Sequence, residues 1–130
     1  MTPGDDGLPV VARRARALGV RVDGTFRDVH PDHEGRIAPG TGGMSVAPSS
    51  EWNLPNHRRP LGMGRGSTGP REDHVFAVEE DSVARAALVV RPDPSRPTKH
   101  AFVEPVELVE LPLYEMNLAS TRESWVRVWP

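Results

Sequence analysis

The sequence predicts an α+β domain, rich in strand, with an antiparallel sheet and short flanking helices. Three observations carry that reading. Glycine and proline are abundant and clustered, at 12 and 14 residues of 130, which marks a chain dominated by loops and short elements. Several apolar runs of four to six residues, bounded by turn residues, have strand length. Helix-type periodicity appears only towards the two ends. The length is that of one folding unit, so residues 1–130 are read as a single domain with residues 1–8 flexible.

The elements follow in order. Val10–Leu18 reads as a short helix entered at Pro9 and closed by Gly19. Val20–Val22 and Thr25–Val29 read as strands around the turn pair Asp23-Gly24. A polar loop, residues 30–43, leads into a strand over Met44–Ala47. Pro48–Asp73 carries four prolines and four glycines without periodicity, so no long helix or strand is expected there. A loop of that length in a compact domain suggests mobility or function, and a lid over a cleft is one such role. Strands are then expected at His74–Val78, Ala87–Arg91 and Lys99–Glu104, with a turn or single helical turn at Glu79–Ala84. Val106–Leu111 reads as a strand or extended connector. Tyr114, Leu118, Thr121 and Trp125 lie at i, i+4, i+7 and i+11, one face of a helix beginning just after Pro112; Ser120, Glu123 and Arg127 fall outside it.

Composition narrows the function classes. There is no cysteine, which removes disulfides, thiolate metal sites and a cysteine nucleophile. The formal net charge of -2 lacks the basic excess of a general nucleic-acid binder, so nucleic acid is not the expected partner. The most apolar run, Ala86–Val90, is far short of the ~20 residues that span a bilayer, so no membrane is expected. Met1–Gly7 is acidic and turn-rich and does not read as a signal peptide.

Four local patterns bear on chemistry. Gly64-Arg-Gly66-Ser-Thr-Gly69 spells the dinucleotide pattern, but no strand precedes it and no apolar-periodic helix follows, so it reads as a flexible loop. His30-Pro-Asp32-His33-Glu34 gathers metal-type donors on one short loop, which by itself fixes no coordination geometry, and it reads as a solvated loop. In His100-Ala-Phe-Val-Glu104, strand alternation puts His100, Phe102 and Glu104 on one face. That face is either an acid–base pair or a strand end with solvated charges. Gly42-Gly43-Met44-Ser45 is either a glycine turn entering a strand, or a place where backbone amides and a hydroxyl approach a ligand.

Ala38-Pro-Gly-Thr-Gly-Gly43-Met-Ser45-Val46 resembles a segment of the Tse-type type VI secretion effector toxins, small proteins with an ADP-ribosyltransferase-like fold that act in a recipient cell's cytoplasm. The order of elements from Arg36 to Trp125 is similar as well, down to a late strand that opens with His100 and ends at Pro105. The resemblance implies a toxin that uses or degrades NAD. By position Ser45 and His100 match the family's functional serine and histidine. Met44 stands where a member of the family has threonine, and Glu104 where it has an apolar residue. In that chemistry a carboxylate stabilises positive charge on the ribose, for which Glu104 is the candidate. An arginine grips the pyrophosphate, with Arg21, Arg27 and Arg91 as candidates, and Gly42 and Gly43 frame the cofactor. The resemblance also implies a cognate immunity or antitoxin protein as partner. No metal is called for. A metal-free RNase toxin using His100 and a second histidine, and a non-catalytic binding module on the same fold, are the competing expectations.

Overall fold

The computed structural model describes all residues, Met1–Pro130, and has mixed α and β content with antiparallel sheets. Its strands are β1 (Arg36–Ile37), β2 (Met44–Val46), β3 (Val75–Ala77), β4 (Leu88–Pro92), β5 (Ala101–Pro105), β6 (Val109–Glu110) and β7 (Val126–Trp129). Its helices are α1 (Glu80–Arg85) and α2 (Leu111–Ser120). Three small sheets result: β2-β5-β4, β1-β6 and β3-β7. No helix is long and apolar enough to cross a membrane.

The three-stranded sheet organises the domain. In β5, Val103 pairs with Met44 of β2 on one side and Val90 of β4 on the other. Alternation then sends Met44, Ala101 and Val103 into the core, where Leu18, Phe76 and Leu118 pack around them. The other face carries Ser45, Phe102 and Arg91, which lie opposite one another across the three strands. Tyr114 of α2 ties the sheet to the helix. Its buried hydroxyl donates to the Val103 carbonyl at 2.6 Å and accepts from the Met44 amide at 3.1 Å, so one side chain clamps β2 to β5. Burial raises the Tyr114 pKa, which keeps that hydroxyl a donor.

β3, α1, β4 and β5 match the expectations to within a residue or two, whereas β6 is shorter than Val106–Leu111 and Arg127, read with the final helix, lies in the unexpected strand β7. Tyr114, Leu118, Thr121 and Trp125 are all buried, although α2 ends at Ser120 and the last two flank the 3-10 turn Arg122–Ser124. The Pro48–Asp73 segment contains two 3-10 turns, Glu51–Asn53 and Asn56–Arg58, and no longer element.

The early elements differ. Val10–Leu18 is not a helix: Val11 bridges Leu18 in a parallel sense, and Arg16 has a φ of 66°, outside helical geometry. The Arg16 guanidinium reaches 57 residues along the chain to Asp73, at 2.7 and 2.8 Å. An isolated nine-residue helix is marginal in water, so such tertiary anchors decide the conformation. The two strands expected over Val20–Val29 do not form either. Asp28 takes up the Arg21 amide and guanidinium, closing the segment as an ion-paired loop that still sends Val20 and Val29 into the core. The opening segment, expected to be flexible, is fastened: Thr2 bonds to Arg16 and Asp73, and Asp6 receives both terminal nitrogens of Arg122 at 2.7 Å.

Candidate functional site

A cleft of about 1140 Å³ opens between the core face of the β2-β5-β4 sheet and β3. Met44, Val46, Val90 and Val103 line one side and Val75 and Phe76 the other. The Pro48–Pro55 stretch and the His57–Arg59 turn close it as a wall, so the proline-rich segment does border the cleft. Both β2 and β5 lie along it.

Ser45 and His100 both border this cleft, with the Ser45 side chain on the sheet face that carries Phe102, opposite Met44 and Val103. Ser45 is exposed on the edge strand β2, opposite Phe102. His100 lies two residues before Phe102, so the two side chains share a sheet face as diagonal neighbours, ~7–8 Å apart between backbones. His100 is held on three sides. Its Nδ1 meets the Asp93 carboxylate at 2.8 Å, its ring stands edge-on to Phe102 at 4.7 Å, and the Arg96 guanidinium lies 3.5 Å from Nδ1. No protein group bonds Nε2, which leaves that nitrogen to meet a ligand. Asp93 is itself fixed by the amide and hydroxyl of Ser95. The hydrogen bond from His100, followed by those from Ser95, holds the Asp93 carboxyl well below the ordinary carboxylate range. A carboxylate that orients an imidazole through Nδ1 and leaves Nε2 free is the arrangement used for acid–base work or hydroxyl binding.

Glu104 is placed differently from its expected role. Its side chain is 1% exposed, and both oxygens are taken. One accepts from the Gly40 amide and Arg91 Nε, the other from the Gly42 amide and the second Arg91 nitrogen, at 2.7–3.1 Å. Burial raises its pKa, but the Arg91 fork and the amides of Gly42 and Gly40 outweigh burial and leave it lowered. The carboxylate therefore organises the loop before β2. Arg91 is spent on Glu104 and stacks over Phe102 at 4.9 Å; it does not line the cleft.

The glycines serve packing. A Cβ on Gly43 would lie 2.2 Å from the Val103 carbonyl oxygen, and one on Gly42, whose φ is 121°, 2.6 Å from that of Asp28. The Gly42 amide is already given to Glu104. Arg27 bonds His30 Nδ1 and lies outside the cleft, whereas Arg21 lines it, paired to Asp28.

Comparison with protein-family models, curated proteins and solved structures found no match.

The remaining motifs have local structural roles. In residues 30–34, Asp32 accepts the amides of Glu34 and Arg36 and pairs the Arg36 side chain, a polar turn into β1. The protein has no group of three or more His, Asp or Glu side chains placed to hold a metal ion. Gly64 of the glycine-rich stretch packs on the Trp52 ring, where a Cβ would come within 2.7 Å. Two residues, Arg58 on the cleft and Asp93 behind His100, were not among the sequence-predicted site residues. Asp93 faces His100 because the β4–β5 hairpin continues one step past its last pair, a register that Pro92-Asp-Pro between two strands could have signalled. Arg58 carried no sequence signal at all.

Proposed function

We propose that this chain is a small ADP-ribosyltransferase-like effector that takes NAD into the cleft between the β2-β5-β4 sheet and β3. The observation that carries the reading is the His100–Asp93 couple, with Nε2 free, beside Ser45 on the cleft's edge. Those two positions are the ones the Tse-type resemblance marks as functional.

In the proposed reaction the bond between ribose C1′ and the nicotinamide nitrogen breaks, and its electron pair leaves with nicotinamide. A nucleophile, either water or a group on a target, forms the new bond to C1′. The ribose gathers positive charge on the way, and fixed negative charge nearby lowers that barrier. His100 binds a ribose hydroxyl through Nε2, and Asp93 holds the ring and supplies the negative charge. Ser45 positions the nicotinamide end by a hydrogen bond. Glu104, fully engaged by Arg91 and two amides, acts as a positioning residue for the Gly40–Gly43 loop and not as the carboxylate at C1′.

The test is NAD consumption by purified protein, followed by release of nicotinamide. Activity that vanishes in both Ser45→Ala and His100→Ala supports the reading; full activity in both, or none in the parent protein, overturns it. A second reading has one observation in its favour. His57 borders the same cleft as His100, together with Arg96 and Lys99, as an RNase using two histidines would need. Cleavage of RNA that is lost in both His57→Ala and His100→Ala, with NAD untouched, would select it.

A further inference from the structure

Arg58 and Arg59 are neighbours in sequence with opposite fates. The Arg59 guanidinium is an internal strut of the proline-rich wall: it donates to the carbonyls of Trp52, Leu54 and Arg65 and to the side chains of Asn56 and Ser67. Backbone bonds from Thr68 to Asn56 and from Gly69 to Arg59 fasten the same turn. Arg58, on the 3-10 turn Asn56–Arg58 that this strut fixes, is half-buried on the cleft, and its guanidinium donates to no protein group. Its nitrogens still reach water from the cleft, so its donors stand unspent and open to a ligand.

Its surroundings are cationic and their carboxylates are occupied. Arg16 and Arg21 line the same cleft. Asp73, the acid beside Arg16, accepts that guanidinium at 2.7 and 2.8 Å; Asp28 accepts the Arg21 side chain at 2.9 and 3.2 Å. Burial, and then the positive charges of Arg21 and Arg16, pull the Arg58 pKa below the ordinary arginine value. Each neighbouring acid is thus neutralised by its own arginine, and the charge of Arg58 stands over. The free carboxylates on the cleft, Glu51, Glu79 and Glu80, are all exposed.

We propose that Arg58 is the anion anchor of the cleft and takes the phosphate groups of a nucleotide, between the Arg16–Asp73 and Arg21–Asp28 pairs. A planar guanidinium with its donors unspent matches two phosphate oxygens at once. The inference rests on the nucleotide reading of this cleft and deepens it. It moves the pyrophosphate contact from the expected Arg21, Arg27 or Arg91, all engaged elsewhere, to a residue of the proline-rich wall.

The experiment is calorimetric titration of the full chain with inorganic pyrophosphate, ADP and adenosine, comparing the parent protein with Arg58→Ala and Arg58→Lys, alongside NAD turnover. Because a charge-assisted contact is lost, Arg58→Ala should weaken pyrophosphate and ADP by at least about tenfold, with Arg58→Lys in between. Adenosine, which has no phosphate, should bind all three alike. Arg58→Ala should unfold no earlier than the parent, since it removes a charge that folding leaves unpartnered. Unchanged pyrophosphate and ADP affinity in Arg58→Ala, no binding of either by the parent, or a midpoint several degrees lower overturns the proposal. Equal NAD turnover with unchanged KM in Arg58→Ala removes the anchor and leaves the NAD reading standing. Arg58-dependent pyrophosphate binding with NAD left intact does the reverse.

Discussion

Replacing Glu104 by alanine separates a structural carboxylate from a catalytic one. The side chain is 1% exposed and receives four hydrogen bonds, two from Arg91 and one each from the Gly40 and Gly42 amides. Removing one partner of a buried ion pair costs about 3–5 kcal/mol, and each buried amide left without an acceptor about 1–3 kcal/mol. These contributions do not add fully. Arg91 is 33% exposed and can turn to water, which places its share at the low end. A total of about 3 kcal/mol is therefore expected, from a native state whose whole margin is roughly 5–15 kcal/mol. At this chain length 1 kcal/mol moves the midpoint by roughly 3–5 °C, so Glu104→Ala should melt about 10–15 °C below the parent. Hydrogen exchange supplies the local check, because the Gly40 and Gly42 amides should lose protection first. Glu104→Gln should also be destabilised, since its amide would turn donors towards donors. An alanine variant that melts within about 2 °C of the parent refutes the argument. If that variant had also lost NAD turnover, Glu104 would return to the catalytic role the sequence suggested.

The remaining predictions rest on separate contacts. Ser45→Ala and His100→Ala should abolish NAD turnover while circular-dichroism melting shifts by only a few degrees, because Ser45 is exposed and makes no hydrogen bond through its side chain. Tyr114→Phe strands the Met44 amide and the Val103 carbonyl and should cost about 1–3 kcal/mol in urea unfolding. Gly43→Ala forces a methyl to 2.2 Å from the Val103 oxygen and should prevent β2 from pairing, seen as loss of folded protein or of exchange protection along β2. The carboxyls of Glu104 and Asp73 have folded pKa values below their ordinary 4.5 and 3.8, so they bind protons more weakly when folded than when unfolded. Their contribution is complete above those ordinary values and is lost as pH falls through the folded ones. Midpoints measured from neutral pH downwards should therefore drop below about pH 4.5, and less steeply in Glu104→Gln.

Local pattern was enough wherever an element carried its own periodicity or turn signals. The i, i+4, i+7, i+11 spacing of Tyr114, Leu118, Thr121 and Trp125 announced a buried face, and all four are buried. The β4–β5 hairpin and the strand at Met44 were likewise visible as short apolar runs between turn residues. So was the shared face of His100, Phe102 and Glu104, because strand alternation has a fixed period of two. The sequence could not determine the fate of Val10–Val29. There, ion pairs from Arg16 to Asp73 and from Arg21 to Asp28 overrode weak intrinsic preferences, and the first of these joins residues 57 apart in the chain. The same limit applies to the site. Residue types nominated Ser45, His100, Glu104 and several arginines, but an arginine's role depends on which carboxylate reaches it first. Only the folded chain shows Arg91 locked to Glu104, Arg21 to Asp28 and Arg16 to Asp73, with Arg58 left as the cleft arginine that has no acceptor, because charge pairing is settled by three-dimensional distance and burial, neither of which residue order specifies.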